Sequence, residues 1–138
     1  MGTVRGLPLQ SVVLDATALT VASDDRSEVR RVLRRWEEDG VDLFVAAATL
    51  TEVLRGHPRD ALIHRLLLGL KVRVVDEQLG RAAGERIGRA QVRGNATLDA
   101  LVAEVASQLP RPVAVLTADY DDITALADPD VMVLGIAA

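Results

Sequence analysis

The chain has 138 residues, 49% of them hydrophobic, with 16 basic and 20 acidic side chains and a net charge of −4. That composition is too apolar for a disordered protein and is sized for one domain, residues 1–138, with a core of its own. The absence of cysteine excludes disulfides, zinc–thiolate sites and cysteine nucleophiles, and the net acidity argues against tight nonspecific binding to nucleic acid.

In chain order, the apolar run 11–14 reads as a buried strand, and Asp15 is the first polar residue after it. Asp15 also suits the N-cap of a following helix. Residues 25–39 carry Val29, Val32, Leu33 and Trp36 at helical spacing. Arg30, Arg31, Arg34 and Arg35 on that helix read as a solvated face, with phosphate contact as the other use. A second strand is expected at 42–46. Two helices follow at 49–55 and 58–68, separated by the turn Gly56-His57-Pro58, where Pro58 suits a first helical position. Thr49-x-x-Glu52 has the form of a capping box. His57 falls in the turn, and His64, among Ile63, Leu66 and Leu67, reads as a core-edge histidine.

A third strand is expected at 72–75 and a long helix at 77–92. Gly84-x-x-x-Gly88 lies inside that helix, so it reads as helix packing and not as a phosphate loop. Arg81, Arg86, Arg89 and Arg93 form a stripe that reads as a solvated face or a phosphate contact. Beyond Gly94-Asn95, the helix 97–109 has the apolar stripe Leu98, Leu101, Val102, Val105 and Leu109. Asp99 borders it in the first turn, above the small Ala103, whereas Glu104 is expected to point into solvent. Pro110-Arg111-Pro112 stops the helix. A strand at 113–116, Asp119, a short helix at 121–127 and a strand at 131–134 complete the chain.

Short apolar strands alternating with helices predict a three-layer α/β/α domain around a central, mainly parallel sheet of about five strands. Parallel strands would bring Asp15, Glu52, Asp99 and Asp119 to one crevice. Two ionised carboxylates 4 Å apart repel by roughly 4 kcal/mol at an effective dielectric of ~20, so such a group takes up a proton or a metal ion. Phe44, Trp36 and Tyr120 are the only aromatics, which argues against stacking platforms of the kind that read single-stranded bases. Arginine outnumbers lysine 15 to one; it suits bidentate phosphate contact, and a GC-rich coding bias would produce the same skew. No apolar stretch approaches a membrane span and no signal pattern opens the chain, so a soluble, cytoplasmic protein is expected.

Four segments carry a family resemblance: Val12-Val-Leu-Asp15-Ala-Thr-Ala-Leu19, Thr51-Glu52-Val-Leu-Arg-Gly56, Asp99-Ala-Leu-Val-Ala103 and Leu116-Thr-Ala-Asp119-Tyr-Asp-Asp122. Their acids are separated by 37, 47 and 20 residues. In this order they resemble the PIN domain, and specifically the VapC-type ribonuclease toxins of bacterial type II toxin–antitoxin pairs. The resemblance implies a PIN-like fold and a magnesium-dependent endoribonuclease (manganese serving as well) that cleaves RNA by metal-activated attack of water. It also implies a cognate antitoxin and a homodimer. Asp15, Glu52, Asp99 and Asp119 map onto the family's four acids, with Asp15, Asp99 and Asp119 as metal ligands. Asp122 is a candidate fifth member, Thr117 could orient a water, and Asn95 receives no role.

Rival families fail at specific positions. A phosphoacceptor receiver domain needs an acid pair after the first strand and a lysine after the last; here Ala16 follows Asp15 and the only lysine is Lys71. A haloacid-dehalogenase-type phosphatase needs a second aspartate where Thr17 stands. The alternative from another class is a non-catalytic PIN-like binding module, with Leu54, Leu62, Leu66, Leu67 and Trp36 lining a groove for a partner helix.

Overall fold

A computed structural model describes residues 3–4 and 7–137. Its centre is a five-stranded, all-parallel sheet of β3 (Ser11–Leu14), β4 (Asp42–Ala46), β5 (Lys71–Arg73), β6 (Val113–Thr117) and β7 (Met132–Gly135), in the order β5-β4-β3-β6-β7. An unforeseen antiparallel strand pair, β1 (Thr3–Val4) and β2 (Leu7–Pro8), precedes it. The helices are α1 (Ala16–Ala22), α2 (Glu28–Glu38), α3 (Leu50–Val53), α4 (Ala61–Leu67), α5 (Glu77–Ala90), α6 (Thr97–Ser107) and α7 (Tyr120–Leu126).

Alternation along the strands builds the three layers, because successive side chains leave a strand on opposite faces. Val13, Phe44, Ala46, Val113 and Val115 face one way, into a core shared with α5, α6 and α7. Val12, Leu14, Leu43, Val45, Ala114 and Leu116 face the other way, against α1, α2 and α4. Both sheet faces are covered, which is why the central strands read as unbroken apolar runs. With so few aromatics, these cores are built from Val, Leu, Ile and Ala.

Local signals set most helix ends. Ser27 Oγ accepts from Arg30 N–H at 3.0 Å and starts α2 at Glu28, three residues after the start expected at 25. Asp76 caps α5 through Leu79 N–H at 2.9 Å, and Gln91 ends it in the left-handed conformation. Pro58 opens a short 3₁₀ turn, Pro58–Asp60, that leads into α4, and His57 Nδ1 accepts from Arg59 N–H.

The structure corrects six expectations. Arg86 is not on a solvated stripe: it is 7% exposed, whereas Arg81, Arg89 and Arg93 are exposed. Its Nε donates to Glu104 at 2.7 Å, and its Nη1 donates to Asp128 and to the Leu126 carbonyl, each at 2.9 Å. Glu104 is therefore drawn inward, its side chain 12% exposed. Arg30 is likewise mostly buried, with 17% of its side chain exposed. His64 is exposed rather than at the core edge. A Cβ on Gly84 or Gly88 would meet nothing within 4 Å, so these glycines serve no close helix packing. Of the supposed groove, Leu66 and Trp36 are core residues at 3% exposure each, and only Leu62 is strongly exposed.

Candidate active site

The strand order reverses between β3 and β6: the chain lays β4 and β5 on one side of β3, then returns to lay β6 and β7 on the other. Ligands of open α/β sheets bind outside the carboxyl ends of the strands at such a switch point. A small cleft of about 40 Å³ lies there, lined by Asp15, Thr17, Thr49, Glu52, Asp99 and Asp119, with Ala16, Leu98 and Val102 as its apolar wall. The four acids named from the sequence thus meet in one cleft. Thr49 and Thr17 are additions that sequence reasoning had credited with other roles or none.

Asp15 is the most firmly held. It directly follows β3, is 5% exposed, and caps α1 by accepting from Ala18 N–H at 2.8 Å through Oδ1. Its Oδ2 accepts from Thr117 Oγ1–H at 2.5 Å and from Ala118 N–H at 3.2 Å. A carboxylate has about four lone-pair positions; three are used, leaving one on Oδ1. Capping and site membership are therefore not competing explanations, since separate lone pairs serve them.

Thr117 is fully buried, and its single proton is committed to Asp15 while its oxygen accepts from Asp119 N–H at 2.8 Å. It thereby ties the acid after β3 to the backbone of the acid after β6. Asp119 stands at the start of α7 but makes no side-chain cap, so its carboxylate is free for the cleft. Asp122 lies outside the cleft, on a shallow hollow that shares Asp119 with it.

Glu52 is not in a capping box. Residues Ala47–Thr49 form a 3₁₀ turn that runs straight into α3, so Thr49 is already helical and caps nothing. Thr49 is buried at 2% exposure, and Glu52 stands exposed at the cleft mouth. Asp99 sits in the first turn of α6 above the fully buried Ala103, where a small side chain leaves room for it to lean inward. Asn95 makes a local turn by accepting from Thr97 N–H at 3.3 Å.

The electrostatics mark this as a strained group of like charges. Burial, then the charges of Asp119, Asp122, Asp15 and Glu52, push the Asp99 carboxyl up to about 6. Partial desolvation, then Asp15 and Asp122, also raise Asp119. Among the described residues no cation pairs with any of these five acids; the arginines bind Asp24, Asp25, Glu104, Asp128 and Asp130 instead. Nor do any three His, Cys, Asp or Glu side chains among the described residues close into a ready-made cage. The donor set is all oxygen and open, which suits a hard cation that keeps much of its water.

The fold and cleft define the molecule as an α/β/α protein of PIN-like fold with an acid-lined site. No protein-family model matches the chain, and no curated protein matches it in sequence. Solved structures share its fold. A chain of VapBC2 from Rickettsia felis, bound to a DNA fragment from their promoter, matches with a TM-score of 0.70 at 12% identity, over 93% of this chain and 100% of that one. A chain of DNA-bound VapBC from Salmonella typhimurium matches at 0.68 and 16% identity, over 92% and 98% of the two chains. One from a toxin–antitoxin complex of Klebsiella pneumoniae matches at 0.65 and 15% identity, over 88% and 95%.

Proposed function

We propose that the chain is a magnesium-dependent endoribonuclease, with manganese as an alternative ion, and the toxin component of a toxin–antitoxin pair. The observation that carries the reading is the set of four carboxylates in one switch-point cleft, left without a cationic side chain among the described residues. The fold shared with the VapBC and toxin–antitoxin chains supports the toxin half of the reading. A cognate antitoxin, a homodimer and a cytoplasmic location belong to the same proposal. No helix among the described residues is long and apolar enough to cross a membrane.

Asp15, Asp99 and Asp119 would hold the ion, Asp15 through the one lone-pair position that its hydrogen bonds leave open. When bound, a divalent cation neutralises the cluster, acidifies a water and stabilises charge on phosphoryl oxygens. No histidine or lysine lines the cleft, so its own proton acceptors are carboxylates. Glu52 at the mouth and Asp119 would complete the ion's shell or orient the attacking water. That water's oxygen forms the new bond to phosphorus, and the bond from phosphorus to the leaving ribose oxygen breaks in line. Exposed Arg55 and Arg93 flank the segments that carry Glu52 and Asp99 and would hold the RNA backbone.

The test is RNA cleavage in Mg²⁺ by the antitoxin-free protein, beside Asp15→Asn and Asp99→Asn. Cleavage by the wild type with a loss of at least about 100-fold in each variant is expected, because charge stabilisation by a metal supplies several kcal/mol of the barrier. Equal cleavage by all three, or none by the wild type, would sink the reading.

A further inference from the structure

Several threonine hydroxyls in this chain have a partner within the protein. Thr20 donates to the Ala16 carbonyl at 3.0 Å, Thr51 to the Ala48 carbonyl at 2.7 Å, and Thr117 to Asp15 across the sheet. Thr49 does none of this: it caps no helix, and its Oγ1 bonds no described residue. A hydroxyl buried without a partner costs about 1–3 kcal/mol, and Thr49 is only 2% exposed. Yet the fully enclosed, unpartnered side-chain atoms among the described residues are Arg30 Nε and Trp36 Nε1. Thr49 Oγ1 is not one of them, so the little surface that Thr49 keeps includes its oxygen. The surface it lines is the acid cleft.

The 3₁₀ turn Ala47–Thr49 runs into α3 and sets Thr49 three positions before Glu52, one turn away on the same side. Glu52 is exposed at the mouth, and Thr49 is buried within. Apart from Thr49 and Thr17, the polar side chains of the cleft are carboxylates, which when ionised only accept hydrogen bonds. The non-bridging oxygens of a phosphate also only accept. Such a cleft needs a donor that does not titrate, and of its two threonines Thr49 is the one held almost out of solvent, Thr17 being half-buried. We infer that Thr49 Oγ1–H donates to a non-bridging oxygen of the scissile phosphate, an inference that rests on the RNA-cleavage reading above. The bond strengthens as charge gathers on that oxygen during in-line attack, and the proton stays on Thr49 throughout. A donor already fixed in place gains from that charge without reorganising as the reaction proceeds.

The test compares Thr49→Val, which keeps the branched shape, with Thr49→Ser, which keeps the hydroxyl. In RNA cleavage by the antitoxin-free protein, Thr49→Val should lose about 100-fold in kcat with KM within about twofold, and Thr49→Ser should stay near the wild type. RNA with sulfur, a poorer acceptor, at one non-bridging position should slow the wild type for one diastereomer, and that slowing should be missing from Thr49→Val. Two readouts do not depend on cleavage. Thr49→Val should unfold at no lower denaturant concentration than the wild type, since the hydroxyl it loses has no internal partner. It should also bind Mg²⁺ or Mn²⁺ as the wild type does. Lower stability would place a partner for the hydroxyl inside the protein, weaker ion binding would assign it to the ion, and either would overturn the inference. An unchanged kcat in Thr49→Val would overturn it too and leave the nuclease reading intact. A wild type that does not cleave RNA would overturn both.

Discussion

The molecule contains two gatherings of acids, and they are built in opposite ways. In one, Glu104, Asp128 and Asp130 meet Arg86 and Arg111: Arg86 bonds Glu104 and Asp128, while Arg111 reaches Asp130 at 3.0 Å and Asp128 at 3.3 Å. Desolvation works against the charge of Arg86, but Asp128 and Glu104 outweigh it and hold the guanidinium above its usual value. In the other, Asp15, Glu52, Asp99 and Asp119 meet one another with no cation among the described residues, and the Asp99 carboxyl rises instead. This chain compensates acids where helices α5, α6 and α7 must be fastened together. It leaves them uncompensated at the strand ends, where an ion or a substrate can do the compensating.

The sharpest way to break the contrast is to unpair the fastened cluster. Arg86→Ala leaves the nearly buried Glu104 without its partner and removes the bond to the Leu126 carbonyl. It should destabilise by about 3–5 kcal/mol in denaturant titrations, and a loss below about 1 kcal/mol would show the two clusters to be alike. At the cleft the sign reverses. Between the usual carboxyl value of 3.8 and about 6, folded Asp99 keeps a proton that the unfolded chain has lost. Stability of the ion-free protein should therefore fall as pH rises through that window and stay lower above it, by on the order of 1 kcal/mol once solvent screening of this half-buried group is allowed for. Asp99→Asn should remove most of that fall and be the more stable protein at pH 7.5, while losing cleavage. A wild type whose stability is flat from pH 4 to 7 would contradict the strain.

Smaller effects sharpen the picture. Thr117→Val removes the hydroxyl that ties Asp15 to Asp119 and should cost about 2 kcal/mol, as a hydrogen bond to a charged group does, along with weaker ion binding. Unaltered ion affinity in that variant would separate Thr117 from the site. Gly84→Ala meets open space on α5 and should stabilise by at most about 1 kcal/mol without touching activity; a loss of stability would mean that the glycine face is covered by something.

The contrast between the clusters also explains which parts could be read from the sequence. The sheet was legible because its central strands are short apolar runs, and the acids because each follows such a run or opens a helix. What stayed hidden depends on residues far apart in the chain. Arg86 looks like its exposed neighbours Arg81 and Arg89, and only the packing of α6 and α7 brings Glu104 and Asp128, 18 and 42 residues away, to its guanidinium. The bond from Thr117 to Asp15 spans 102 residues. Thr49 and Glu52 misled for a local reason: the capping-box pattern is present, but the 3₁₀ turn before it makes Thr49 helical, so no free N–H waits to be capped.

The claim at the centre of this account is that the cleft acids lack only a divalent cation. Calorimetric titration of Mg²⁺ and Mn²⁺ into the full chain at pH 7.5, beside Asp99→Asn, tests it most directly. The account predicts saturable binding to the wild type, with almost no proton release because Asp99, at about 6, is already ionised at this pH, and at least about tenfold weaker binding to the variant. No binding to the wild type, or equal binding to both, would contradict it.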